Sequence, residues 1–172
     1  MPMLDAYIPQ GALSPTDEQA LLARLTDILL SWEGADPTNA VARSLAWVFL
    51  HRPATVYVGG LPATAPHFRF VATVPEGQLD EQRRAGMVAA VTEAVAEADP
   101  GCDTAARTWV FTTEVPDGSW GARGEIFTLA RIAGTVIGDD EAGVAHAQQR
   151  LAASRSARQT ALALASSGAG SG

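Results

Sequence analysis

The second residue of the chain is a proline, and it heads a stretch, MLDAYIP, that reads as a short strand. Proline has no N–H to give to a sheet and is normally pushed to strand ends or edges. Its chemistry offers a second reason for the position. Removal of Met1 would leave Pro2 as a rigid secondary amine. A terminal amine titrates at about 8, and burial against apolar groups lowers that value because the charged form is disfavoured. An amine poised near neutrality can take a proton from the carbon alpha to a carbonyl and return it elsewhere. With Met1 in place the nitrogen is an amide and has no such capacity. Tyr7, Trp47, Phe49, Phe111 and Trp120 are the apolar side chains available to wall such a site.

No other constellation competes with Pro2. The sequence shows no phosphate loop, no His/Cys/Asp/Glu set with metal-ligand spacing and no Ser-His-Asp set, so neither a metal nor a cofactor is implied. The single cysteine, Cys102, has no partner for a disulfide or a CxxC site. Asp99, Asp103 and Glu97 nearby would push its thiol up, which makes it a bystander. His146 falls in an alanine-rich C-terminal stretch and reads as solvent-facing. A net charge of -7 argues against the basic surface usual for nucleic-acid binding. No apolar run approaches the length of a membrane span, and the start lacks a basic and apolar leader pattern. The expected compartment is the cytoplasm.

The elements that must position Pro2 come in two copies. From Ser14 to Trp32, SPTDEQALLARLTDILLSW carries a helix start: Ser14 as N-cap, Pro15 at the first position and Asp17 three residues after the cap. Leu21, Leu22, Leu25, Ile28, Leu29 and Trp32 form an apolar stripe. SLAWVFL then reads as a strand. From His67 the order returns: HFRFVATV as strand, EGQLDEQRRAGMVAAVTEAVAEA as loop and helix with Met87, Val88, Val91 and Val95 on its stripe, and RTWVFTTEV as strand. Asp17-Glu18-Gln19 recurs as Asp80-Glu81-Gln82, and Gly59-Gly60 aligns with Arg123-Gly124 in a second Gly/Pro-rich hairpin. The expected organisation is a first β-α-β unit over 1–62, a second over 63–138, and a C-terminal helix with a flexible tail over 139–172. A helical crossover makes the strands of each unit parallel. Two such units side by side give an α+β fold, a four-stranded sheet with two helices on one face.

A strand headed by proline after Met1, a helix opening DEQ and a strand running into a Gly-rich hairpin resemble the tautomerase superfamily. The second half, EGQLDEQ followed by FTTEVPDGSWGARG, resembles 4-oxalocrotonate tautomerase. The fused length and the strand ending HRP resemble cis-3-chloroacrylic acid dehalogenase and malonate semialdehyde decarboxylase. The resemblance covers about residues 2 to 130. It implies the fold shared with macrophage migration inhibitory factor, a homotrimer of fused chains, and Pro2 as catalytic acid or base. Phe68 stands at the matching second-half position, so one proline site per chain is expected.

The chain also departs from that family. Members acting on oxo acids hold the substrate carboxylate with loop arginines, for which a guanidinium fork is suited. Here that loop is VPEGQ, with Glu76 and Gln78. Trp109, Leu29 and Phe111 stand where an arginine, a histidine and a tyrosine are expected. Arg123, in the GARG turn, is the leading substitute, followed by Arg43, two residues ahead of the aligned strand and on the same face. Gln78, Trp120 and Phe111 complete the candidate substrate contacts. Arg69 and Arg107 read as solvated arginines at strand starts. Glu114 reads equally as catalytic or as a strand-edge or intersubunit group. The expected activity is keto–enol tautomerisation of a neutral or aromatic enol or 2-oxo compound, phenylenolpyruvate-like rather than a dicarboxylate such as 2-hydroxymuconate. The alternatives are decarboxylation, hydration or dehalogenation of a three-carbon acid, and a catalytically silent trimeric binding protein.

Overall fold

The computed structural model describes residues 2–101 and 103–168. Met1, Cys102 and the last four residues of the expected tail lie outside the described residues. By its internal contacts the chain divides into two compact units, one formed by residues 1–74 and 81–113, the other by 75–80 and 114–172.

The first unit is built on a sheet. Strand β1 spans Met3–Tyr7, and α1 spans Pro15–Glu33. The N-cap works as the sequence indicates: Ser14 Oγ accepts from the Asp17 N–H at 3.1 Å, with Pro15 at the helix start. The helix stops at Gly34, whose φ of 97° places it in the left-handed region that favours glycine. The stretch read as one strand then divides in two. Asn39 Oδ1 accepts from the N–H groups of Val41 and Ala42 at 2.9 and 3.0 Å. That cap nucleates a short helix, α2, over Ala40–Leu45, and the strand β2 begins only at Trp47 and runs to His51. Arg43 therefore lies on a helix rather than on a strand face. A two-residue hairpin follows, β3 at Tyr57–Val58 and β4 at Leu61–Pro62, turned by Gly59 and Gly60 at φ 59° and 84°.

Strand β5 covers Phe68–Pro75, α3 covers Glu81–Ala98, and β6 covers Thr108–Val115. The sheet order is β2-β1-β5-β6. Strands β1 and β2 are parallel, with Met3 opposite Trp47, whereas β1 and β5 are antiparallel, with Met3 opposite Thr73. The two β-α-β repeats thus meet at β1 and β5. Alternation decides the faces. Leu4, Ala6, Phe68, Phe70, Ala72 and Val74 point inward and are buried with Leu21, Leu25, Leu29 and Leu30 of α1 and Met87, Val91, Ala94 and Val95 of α3. Val88, placed on the stripe by spacing, is on the exposed side.

Gly86 sets the approach of α1 to α3: a Cβ there would overlap the ring of Trp32. Alanine is the better helix former by about 1 kcal/mol, yet overpacking costs about 1–3 kcal/mol. Gly86→Ala is therefore expected to lower the melting temperature by several degrees, read by thermal unfolding; an unchanged or raised value would contradict this packing.

The second unit contains the loop 75–80, the hairpin of β7 (Gly121–Ala122) and β8 (Glu125–Ile126), and two helices, α4 at Leu129–Ile137 and α5 at Asp140–Gly168. Helix α4 has no counterpart in the sequence reading. It is capped by Thr128, whose Oγ1 accepts from the Arg131 N–H at 3.3 Å, and ended by Gly138 at φ 81°. Gly143 of α5 lies so close to the Gly134 backbone of α4 that a Cβ would overlap it. No helix is long and apolar enough to cross a membrane, among the described residues.

Candidate active site

Pro2 is buried, and its carbonyl accepts from the Trp47 N–H at 3.2 Å, which ties the head of β1 to the head of β2. Because β1 and β2 are parallel and α1 returns between them, the C-terminal end of α1 lies at this same end of the sheet. That end carries Glu33, only 5% exposed although it is a carboxylate. Burial pushes the Glu33 carboxyl above the usual carboxylate range. The start of α3 supplies two half-buried arginines to the first unit. Arg83 Nη1 donates to the Glu33 carbonyl at 3.1 Å, and Arg84 Nη1 donates to Thr112 Oγ1 at 3.3 Å.

The sequence-based candidates divide between the two units. Pro2, Arg43 and Phe111 belong to the first; Gln78, Trp120 and Arg123 belong to the second. Arg43 pairs with Asp27 and donates to the Pro37 carbonyl at 2.8 Å, so its guanidinium braces α2. Phe111 lies on the outer sheet face, where the Arg69 guanidinium sits 5.5 Å from its ring and 4.7 Å from that of Tyr7. Arg107 donates to Thr104 Oγ1 at 2.8 Å and to Asp99 at 3.3 Å, closing the turn ahead of β6.

In the second unit the loop that lacks arginine is held from two sides. Glu114 Oε1 accepts from the N–H groups of Gly77 and Leu79 at 2.9 and 3.1 Å. Glu76 is buried; its Oε2 accepts from the Asp117 N–H at 3.0 Å, and its Oε1 lies 3.6 Å from Arg158 and 4.0 Å from Arg155 of α5. Gln78 is also buried, with Oε1 3.2 Å from His146 Nε2 and its carbonyl accepting from Arg150. His146 is thus half-buried against this loop rather than facing solvent. Trp120 is half-buried in the hairpin, its carbonyl accepting from the Phe127 N–H at 2.8 Å. Arg123 is exposed at φ 52°, beside Gly124 at φ 76°, in the same left-handed pair as Gly59 and Gly60. A non-glycine residue there carries a cost of about 1–2 kcal/mol.

Sequence reading passed over Glu33, Arg83 and Arg84. Glu33 sits in the last helical turn, where acidic side chains usually face water. The two arginines follow the DEQ triplet and look like a solvated helix start.

Residues 70–130 match a protein-family model described as tautomerase enzyme. The chain carries that match over about a third of its length, from within β5 to the start of α4. Its fold is similar to that of a native fused 4-OT, at 22% identity and a TM-score of 0.60, over 72% of this chain and 94% of that one. N1, a member of the cis-3-chloroacrylic acid dehalogenase family, is similar at 16% identity and a TM-score of 0.59, over 73% of this chain and 82% of that one. Pt0534, seen inactivated by 2-oxo-3-pentynoate, is similar at 21% identity and a TM-score of 0.59, over 72% of this chain and 94% of that one. Other fused 4-OT chains of this fold form symmetric and asymmetric trimers. No curated protein matches the sequence. The likeness to the solved structures is one of fold.

Losing an acceptor that serves two backbone donors costs about 1–3 kcal/mol. Glu114→Ala is expected to speed amide hydrogen exchange at Gly77 and Leu79 by about tenfold or more. Unchanged exchange at both amides would show that another group holds the loop.

Proposed function

We propose that this chain is a tautomerase-superfamily enzyme in which Pro2, freed by removal of Met1, moves a proton on an enol or 2-oxo compound. The carrying observation is the position of Pro2: buried at the head of β1, in a chain whose second half matches the tautomerase family. Burial excludes bulk water from the nitrogen and places it where its proton affinity can be tuned. Proton transfer between carbon and oxygen needs no metal or redox group, only one such nitrogen and a pocket that orients the enol.

The preferred substrate is a neutral or aromatic enol. Glu76 and Gln78 of the 75–80 loop are engaged by Asp117, His146 and α5, which leaves that loop a structural role in place of carboxylate binding. Arg123 is our candidate for orienting the carbonyl end of the substrate. It lies exposed in the hairpin turn, on a left-handed backbone that glycine would adopt at less cost. Trp120 and Phe111 are candidate apolar contacts.

The working form is a homotrimer. The sheet face opposite the helices exposes Trp47 (62%), Phe49 (44%), Trp109 (67%) and Phe111 (44%), with Trp47 packed edge-on to Phe49 and Trp109 edge-on to Phe111. Aromatic surface of this extent calls for cover, and further copies of the chain supply it, as in the trimeric fused 4-OT structures.

Two experiments test the reading. Ketonisation of phenylenolpyruvate, followed by ultraviolet absorbance, is expected to fall at least about a hundredfold in Pro2→Ala, with weaker wild-type turnover of 2-hydroxymuconate. Equal activity of wild type and variant would leave the fold without this chemistry. Light scattering is expected to give the mass of a trimer, and Trp47→Lys or Trp109→Lys is expected to shift it toward smaller species. A monomeric wild type would remove the trimer.

A further inference from the structure

The helical hairpin of the second unit leaves a groove that the chemistry above does not use. Helices α4 and α5 touch where Gly143 meets the Gly134 backbone and the Ala130 carbonyl, so closely that a Cβ on Gly143 would overlap both. Helix α4 has 9 residues and α5 has 29, so α5 runs on past the start of its partner. Small side chains along that stretch do not fill the space. They leave a groove of about 460 Å³ walled by Ala130, Val144, Ala147 and Leu151 and lined as well by the charged groups of Asp117 and Arg155. An apolar wall with a few placed polar groups is the make-up of a small-molecule site.

The two charged groups decide the occupant. Arg155 is exposed, and only its Nε nears an acid, Glu76 Oε1 at 4.0 Å; Arg158 approaches the same oxygen more closely, at 3.6 Å. The terminal nitrogens of the Arg155 guanidinium carry no hydrogen bond among the described residues. Asp117 has one oxygen engaged: Oδ1 accepts from the Leu129 N–H at 2.7 Å, and Oδ2 has no partner among the described residues. Arg155 and Asp117 line one groove, yet they form no ion pair with each other, among the described residues. A donor fork and a carboxylate oxygen are thus both open to a ligand that carries both charges.

We propose that this groove binds a free apolar α-amino acid, with its carboxylate on the Arg155 fork, its ammonium on Asp117 Oδ2 and its side chain along Val144, Ala147 and Leu151. The proposal stands apart from Pro2 and its chemistry. A guanidinium fork suits a planar carboxylate, and a carboxylate oxygen accepts from an ammonium. A plain carboxylic acid would be repelled by Asp117, and a plain amine by Arg155. A zwitterion answers both, and the apolar wall selects its side chain. Asp117 also donates its N–H to Glu76 at 3.0 Å, so the occupant sits next to the group that braces the 75–80 loop.

The test is a titration of the isotope-labelled full chain with L-phenylalanine, followed by NMR at the amides of Ala130, Ala147 and Leu151. Phenylpropionate and phenethylamine serve as probes that lack the ammonium and the carboxylate. Saturable shifts at these amides are expected with phenylalanine, at an affinity about tenfold or more above that of either probe. Arg155→Ala and Asp117→Asn are each expected to weaken phenylalanine binding about tenfold or more; the second keeps an acceptor for the Leu129 N–H. Absence of saturable shifts overturns the proposal, as does either probe binding as tightly as phenylalanine or unchanged affinity in either variant. Shifts at the same amides that grow with protein concentration alone would put a second copy of the chain in the groove and overturn it too. If a variant does not fold, the ranking of the three compounds on the wild type decides.

Discussion

A carboxylate taken out of water must be answered, and in this chain that requirement falls at the end of α1. Glu33 is buried where the first helix stops, at the end of the sheet where β1 and β2 begin. The parallel pairing of β1 with β2, the left-handed stop at Gly34 and the reach of Arg83 to the Glu33 carbonyl all converge there. Close packing of α1 on α3, possible because Gly86 leaves room for Trp32, carries the start of α3 to the same end. The head of β1 is thus the place in the first unit where burial, charge and a proline coincide.

Much of this frame is legible in the sequence because it depends on local rules. The Ser14 cap, the proline after it and the leucine stripe specify α1 with near-neighbour interactions alone. The repeated DEQ triplet and the paired hairpin turns locate the second β-α-β unit, and Gly59-Gly60 and Arg123-Gly124 do share the left-handed backbone that their alignment implies. What escaped depends on contacts distant in sequence or on short elements. Helix α2 is a single cap and a turn and a half, too short for periodicity to declare. Glu33 is a helix-end acid like many others until its burial is known. His146 meets Gln78 across 68 positions of sequence, a pairing that no spacing rule reports.

The second unit shows how a loop can keep its place in a fold while changing its charge. Where arginines are expected, Glu76 brings a carboxylate, and its neighbours answer with an Asp117 N–H and the arginines of α5. Glu114 ties two more amides of the same loop. The C-terminal helix is therefore part of the packing of that unit, which explains why an alanine-rich stretch retains Arg150, Arg155 and Arg158.

Everything proposed for catalysis requires that the nitrogen of Pro2 be an amine. The mass of the intact protein, purified from its natural host, tests this most directly. The expected mass is short of one methionine residue, with Pro2 as the first residue on amino-terminal sequencing. A retained Met1 would make that nitrogen an amide, rule out Pro2 as acid or base, and leave a tautomerase fold that binds without moving a proton.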